Sequence, residues 1–247
     1  MRLVEKRYSG LGLGLVLAGA ALIPVSHFLL GSTPLTALGI SLIVLGAVCL
    51  ALGRARPEIP PEISAILLEA GVENIATIVE ELGLTSKAIY LPSRLGGGRN
   101  QALIPLRSNP SVPQIERPLP RRLIVKYGPG ADDVGLLLST PGSATINLLE
   151  SKPGSSSEEL EAALSFVLIG SVDLVDAVRV GLGEEKVIVE VSNPRLEYKN
   201  IWLYQNIGSP LASIIASITA EGLDKPVVVA KESYAKGKGS IALEVLR

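Results

Sequence analysis

Histidine, cysteine, methionine and tryptophan occur once each in the 247 residues, and phenylalanine twice. The histidine, His27, and the cysteine, Cys49, both lie inside long apolar runs. The remainder of the chain therefore has no imidazole and no thiol. A Ser–His or Cys–His pair, a thiolate nucleophile and a His/Cys metal site are excluded there. A single cysteine forms no intrachain disulfide, which agrees with a reducing compartment. Charge of one sign is lacking too: 23 basic and 24 acidic residues are interspersed for a net charge of −1. No global field draws nucleic acid to such a chain. There is no Walker A sequence and no strand-anchored Gly-x-Gly-x-x-Gly, since Gly10-Leu-Gly-Leu-Gly-Leu sits within an apolar run. Few thermolabile residues remain, a composition that fits a thermophile.

What is present begins with two apolar runs, Ser9–Leu30 and Leu35–Gly53, separated by Gly31-Ser32-Thr33-Pro34. Neither holds a charge. A bilayer core about 30 Å thick requires roughly 20 apolar residues at 1.5 Å rise, so each run spans once. A signal peptide has a shorter apolar stretch and no second run, and a buried soluble helix would show a polar face. Residues 1–56 thus read as a transmembrane helical hairpin with spans at about 9–30 and 35–53. Arg2, Lys6 and Arg7 precede it, Arg54 and Arg56 follow it, and the turn is uncharged. Positive residues stay on the cytoplasmic side, so both termini are expected there. The expected localisation is a multi-pass protein of the cell membrane.

Small residues recur every seven positions: Gly12, Gly19 and Ser26 in the first run, Gly39, Gly46 and Gly53 in the second, with Ser32 before it. Small residues let helix backbones approach in lipid, and a seven-residue period favours a left-handed crossing. The seam fits packing of the two helices on each other or on another protein's helix. Pro24 and His27 read as a kink and an interfacial imidazole.

Residues 57–247 read as a cytoplasmic α+β domain. Pro57, Pro60 and Pro61 form a collar; two short helices follow, over Ile63–Ala70 and Val72–Leu82, with a break at Gly71. Lys87–Leu91 and Gln101–Leu106 flank a glycine loop as a hairpin. Residues 107–121, with Pro110, Pro113, Pro118 and Pro120, read as an irregular connection. Strands follow at Arg122–Lys126 and Val134–Leu138, then a helix from Pro141 to about Glu150. Ser156 and Glu159 have capping-box spacing at the head of a helix over Ser157–Leu168. Ala177–Val180 and Lys186–Val191 pattern as a second hairpin, with a helix through Asp173–Val180 as the competing reading. Asn193–Asn200 is a loop and Ile201–Tyr204 a short strand. A helix runs from Gly208-Ser209-Pro210 to about Glu221, and strands at Pro226–Lys231 and Ser240–Leu246 end the chain.

Gly83-Leu to Leu91, a glycine turn, then Ala102–Arg107 matches Gly222-Leu to Ala230, a glycine turn, then Ala242–Arg247. Each is helix, Gly-Leu, strand, turn, strand, so the domain holds two similar helix-strand-strand units. Duplication and a generic helix-plus-hairpin preference explain the likeness equally.

Two groups of residues are candidate sites. Thr140-Pro-Gly-Ser-Ala and Ile207-Gly-Ser-Pro-Leu present Gly142, Ser143, Gly208 and Ser209 at helix starts. Free N–H groups there hold an anion, with ordinary capping by Ser143 or Ser209 as the alternative. Arg117, Arg121, Arg122 and Lys126 form a basic group suited to anionic headgroups, at about 1 kcal/mol each, or a solvated loop edge. The acidic pairs Asp132-Asp133, Asp173 with Asp176, and Glu184-Glu185 read as solvated turns, because catalysis also requires burial and a cleft.

Gly208-Ser-Pro-Leu-Ala-Ser with Gly222-Leu-Asp-Lys-Pro-Val, together with Ala88-Ile-Tyr-Leu-Pro, Leu103-Ile-Pro and Pro141-Gly142, resembles an uncharacterised family of archaeal membrane-anchored proteins. The likeness covers most of residues 60–247 and implies an archaeal two-span protein with an unassigned cytoplasmic domain. It implies no catalytic residue. The expected role is a non-enzymatic interaction or scaffold module held in the bilayer, with membrane or cytoplasmic proteins or a second copy as partners, no nucleic acid, no cofactor and no metal. The alternative is a membrane-proximal sensor of a small anionic ligand or lipid headgroup.

Overall fold

The structure is a computed structural model that describes residues 2–54, 61–106, 115, 117–195 and 202–246; the side chains of 2–9, 52–54, 61–62 and 64–65 lie outside that description. The chain divides into two compact units, Met1–Gly71 and Val72–Arg247.

In the first unit, helix α1 (Arg2–Pro24) leads into a π turn (Val25–Leu29), then a short turn and helix α2 (Thr33–Arg54). Pro24 has no N–H to give, and the wider π turn begins at the next residue. Gly31 takes φ +58° in the connection, a conformation that suits glycine. The stretches Gly10–Leu29 and Thr33–Ala51 are long and apolar enough to cross a membrane by length and composition. Their outward residues are large and apolar: Leu17, Phe28 and Leu38 are exposed, Phe28 by 82%. The flanking side chains of Arg2, Lys6, Arg7 and Arg54, and all of Arg56 and Pro57, lie outside the described residues.

The second unit is α+β, built on one eight-stranded sheet. Helix α3 (Pro61–Glu81) contributes its residues from Val72 on to this unit. The strands are β1 (Ile89–Leu91), β2 (Gln101–Pro105), β3 (Ile124–Lys126), β4 (Val134–Leu138), β5 (Ala177–Leu182), β6 (Lys186–Ser192), β7 (Val227–Ala235) and β8 (Lys238–Val245). Their order is β3-β4-β2-β1-β7-β8-β6-β5, and every pairing is antiparallel. The two similar hairpins, β1–β2 and β7–β8, meet at the middle of this one sheet, with Tyr90 opposite Val227 and Ile89 opposite Val228. Short helices α4 (Pro141–Thr145) and α6 (Leu203–Ile207) and longer helices α5 (Ser157–Ser165) and α7 (Pro210–Leu223) complete the unit.

Local chemistry accounts for most of these elements. Ser156 caps α5 by accepting from the Glu159 N–H at 3.2 Å, and Glu159 accepts the Ser156 N–H at 3.1 Å. Lys236 and Gly237, at φ +50° and +74°, form the two-residue turn of β7–β8, with the positive φ values of the hairpin-compatible type I′. A bulge at Val229/Lys231 interrupts β7, and Lys87 Nζ donates to the Val229 and Ala230 carbonyls at 3.1 and 2.6 Å. At the sheet edge, the Val180 N–H of β5 donates to Glu161 at 2.9 Å and the Val180 carbonyl accepts from the Ser157 hydroxyl at 2.6 Å, both partners being on α5.

Four expectations differ. The break at Gly71 is absent: α3 is continuous, since one glycine costs a helix about 1 kcal/mol, less than a lost turn. Ile201–Tyr204 is not a strand; Ile201 lies outside the described residues, and Leu203–Ile207 makes one helical turn that buries Leu203, Asn206 and Ile207. The helix after Pro141 ends at Thr145 and tightens into a 3-10 turn over Ile146–Leu148. Helix α5 stops at Ser165 and widens into a π turn over Phe166–Ser171. Of the two readings for residues 173–180, the structure has the hairpin, as β5–β6, and not the competing helix through Asp173–Val180. Residues 107–114, 116 and 196–200, including Pro110 and Pro113, lie outside the described residues.

The core has two parts. The larger lies on the helical face, where Tyr90, Ile104, Leu136, Val189, Ile241 and Leu243 of the sheet meet Val79, Leu164, Leu168 and most of α7. The smaller covers the opposite face of β1–β4 and reaches Val228 at the start of β7, with Ile89, Leu91, Leu103 and Leu137 under Leu95, Ile115, Leu119 and Tyr127. Strands β1, β2 and β4 are therefore buried on both faces, whereas β6 alternates buried and exposed along its length. One half of the sheet is closed on two sides and the other half on one.

Candidate functional site

Helix α7 passes through the middle of the fold, and every residue from Leu211 to Gly222 is buried. Polar residues recur on it at four-residue spacing: Ser209, Ser213, Ser217 and Glu221. That spacing sets them along one side of a helix. Each meets a different part of the chain. The Ser209 N–H donates to Glu232 Oε2 at 3.1 Å, and its hydroxyl lies 3.3 Å from the Tyr234 hydroxyl, which itself donates to Glu232. Ser213 Oγ accepts from the Gly142 N–H at 3.2 Å. The Ser217 carbonyl accepts from Asn100 Nδ2 at 3.1 Å. Glu221 Oε2 accepts from both the N–H and the hydroxyl of Ser93, at 2.7 and 2.9 Å. Tyr90 lies beside this row and donates to the Ile207 carbonyl at 2.5 Å. Burial raises its phenol well above the usual range.

These bonds account for the two Gly-Ser helix starts. Gly208 takes φ +73° to turn α6 into α7, and Ser209 caps α7 by accepting from the Ala212 N–H at 3.1 Å. The negative charge at this helix start is Glu232 of the chain itself, so the Ser209 N–H is in use. Gly142 is pressed against Ser213 and Ser217, where a Cβ would overlap both. Its N–H is likewise in use. Ser143 and Thr140 cap α4 reciprocally: the Ser143 N–H donates to Thr140 Oγ1 at 3.3 Å and the Thr140 N–H to Ser143 Oγ at 3.0 Å.

Ser143 also lines a cleft of about 430 Å³ between the β1–β2 loop and the segment from Ser139 to Asn147. Arg99, Asn100, Thr140 and Asn147 line it with Ser143, and among the described residues no carboxylate does. Asn100 is 97% buried (3% exposed), and its Oδ1 has no hydrogen-bond partner; neither does the buried Ser217 hydroxyl behind it. The loop side of the cleft is fixed to α7 by Ser93–Glu221 and by Arg94, which pairs with Asp224 at 3.0 Å while Lys152 pairs with the same carboxylate at 3.2 Å.

A second feature is the uncovered face of β5, β6, β8 and β7. Its rows run Ala177–Ser192–Lys238–Ala235, Arg179–Glu190–Ser240–Ser233 and Gly181–Ile188–Ala242–Lys231. The first two rows form a shallow concavity of about 510 Å³ with small side chains on its floor, where Arg179 and Glu190 stand opposite each other in register.

The remaining candidates are dispersed. Arg117, Arg121, Arg122 and Lys126 are all exposed, near exposed Leu123 and Ile124, and Arg121 donates to the Gly97 carbonyl at 2.8 Å. Asp173 and Asp176 are both ion-paired with Arg195, and Asp133 accepts the Gly130 N–H of its own turn at 2.7 Å. Among the described residues no three acidic, histidine or cysteine side chains gather as a metal site. In the hairpin, Gly12 faces Gly46, Gly19 faces Gly39, and the hydroxyls of Ser26 and Thr36 lie 3.0 Å apart. Gly53 is in the last turn of α2, and its surroundings lie outside the described residues. Sequence reasoning passed over Asn100, Arg99, Glu221 and Glu232. Only the spacing of Ser209, Ser213, Ser217 and Glu221 in an apolar helix could have pointed to them.

The chain belongs to the family described as Domain of unknown function (DUF7982), whose model matches residues 1–245. No curated protein and no solved structure matches it.

Proposed function

We propose, with membership of that family as the premise, that the chain is a membrane-anchored interaction module and not an enzyme. In this reading α1 and α2 anchor it in a bilayer with both termini in the cytoplasm, and the sheet domain offers its uncovered face to a protein partner. The observation that carries the reading is the one-sided burial of β5, β6 and β8. A sheet half with one solvated face is ordinary in antiparallel folds, but here that face is concave, small-floored and lined by the charges of Arg179, Glu190 and Lys238. Paired charges around small residues favour a specific partner over a general one. Anchoring rests on the uncharged, outward-facing leucines and Phe28 of the hairpin, and orientation on Arg2, Lys6, Arg7, Arg54 and Arg56 against an uncharged turn. The archaeal, thermophilic source implied by resemblance and composition belongs to the same proposal.

Two measurements test it. A photo-cross-linking residue at Ser240, on the open face, is expected to give one discrete adduct in native membranes, and one at Glu158, on exposed α5, is not. No adduct from Ser240 sinks the interaction reading. A cysteine at Ser32 in a Cys49→Ala background is expected to label from outside intact cells, and one at Ser156 is not; the reverse pattern sinks the orientation.

A further inference from the structure

We infer that the cleft between the β1–β2 loop and the Ser139–Asn147 segment binds a small hydroxylated oxyanion, of the class of a phosphorylated polyol. This goes beyond the partner surface proposed above and does not depend on it. The volume, about 430 Å³, is within the range of small-molecule sites. Its chemistry is one-sided. Arg99 lines it, and no carboxylate pairs with Arg99 among the described residues. Thr140 and Ser143 have hydroxyls 3.2 Å apart, each already accepting a backbone N–H. Two hydroxyls in mutual contact hold two protons and share one bond, so one proton remains to donate. Asn147 adds an exposed amide. Guanidinium, hydroxyl and amide donors in a cleft without acid fit an oxyanion.

Asn100 supplies the other half of the selectivity. Its amide orientation is set by Nδ2 donating to the Ser217 carbonyl, which leaves Oδ1 as a buried acceptor with no donor. An unmet buried acceptor is costly and rewards a ligand that brings a donor. A bare anion has none, whereas a hydroxyl next to the anionic group has one. The oxyanion with a neighbouring hydroxyl is common to soluble sugar phosphates and to glycerophosphate lipid headgroups.

The test uses the full chain in nanodiscs of phosphatidylcholine, titrated by calorimetry with glucose 6-phosphate, glycerol 3-phosphate, inorganic phosphate and glucose. At least one phosphorylated polyol is expected to bind saturably, about tenfold or more tighter than phosphate, with glucose silent. Arg99→Ala is expected to weaken it about tenfold or more, the weight of a charge-assisted hydrogen bond. Lys186→Ala, which removes an exposed cation on β6 outside the cleft lining, is expected to leave it unchanged. Repeating the titration in phosphatidylglycerol nanodiscs separates the two sources: competition assigns the site to the headgroup, its absence to a soluble ligand, and either supports the inference. Silence with both polyols, phosphate bound as tightly as they are, or affinity that Arg99→Ala leaves intact overturns it.

Discussion

Gly19 and Gly39 face each other across the helical hairpin with no side chain between them: a Cβ on Gly19 would lie 2.5 Å from the Gly39 carbonyl oxygen. The same approach recurs at Gly12 and Gly46. Contact this close places van der Waals attraction between the two backbones. Gly39→Leu is expected to separate the helices, at about 1–3 kcal/mol for the overpacking. Gly14→Leu, where nothing lies within 4 Å, is expected to be neutral. Thermal unfolding in detergent, followed by cross-linking between α1 and α2, distinguishes the two; equal stability of both variants would contradict the seam.

Tyr90 gives a sharp probe of the buried polar row. Tyr90→Phe keeps the ring and removes the only donor to the Ile207 carbonyl that the side chain supplies. Leaving that carbonyl unmet is expected to cost about 1–3 kcal/mol, read as a lower midpoint in urea with an unchanged slope.

Acid is expected to loosen the ties of Asp224 and Asp176. Burial pushes the Asp224 carboxyl up, but hydrogen bonds from Lys152 and Arg94 hold it below its usual value. Hydrogen bonds from Asn193 and Arg195 lower Asp176. A carboxyl depressed by folding contributes its stability above the unfolded value near about pH 4. That contribution is lost as pH falls through the lower folded value. Asp224→Asn tolerates the left-handed backbone at φ +53°. It is expected to cost about 0–1 kcal/mol at neutral pH and to flatten the stability curve below about pH 4. A curve as steep as that of the unaltered chain would show that Asp224 takes no part.

The edge of the sheet gives a prediction about solubility. Val180 of β5 has both outward backbone groups bonded to Ser157 and Glu161 of α5, so the edge offers no free donor–acceptor pair at that residue. Ser157→Ala with Glu161→Ala is expected to expose it and to promote strand-to-strand association. Light scattering against concentration reads the outcome; a double variant that stays as monodisperse as the parent would show that the edge needs no such cover.

The parts of this fold legible in the sequence are those written in local chemistry. The Ser156–Glu159 spacing announced α5, the alternation of Lys186–Val191 announced β6, and strand β4 lies over Val134–Leu138 as its pattern implies. Helix α6 was hidden because a single turn carries too little periodicity, and Ile-Trp-Leu-Tyr favours a strand by residue type alone. The anion expectation at Ser209 depended on what faces the helix start. That partner is Glu232, on a strand formed later in the chain, and no local pattern points to it. Asn100 is similar: it sits in a glycine-rich turn by sequence, and only the fold places its amide against α7.

The pairing of β1 with β7 has a consequence for how the protein is made. Strand β1 leaves the ribosome soon after the hairpin and well before β7 and β8. Until β7 emerges, the edge of β1 away from β2 has no neighbour, so the central joint of the sheet closes late. Joining distant segments this way carries a high loop-closure cost and slows folding. If the apolar runs are inserted during translation, the nascent domain waits in an open form while already tethered. A late step is then the docking of the β7–β8 hairpin onto β1, at one fixed place and at high local concentration of the two.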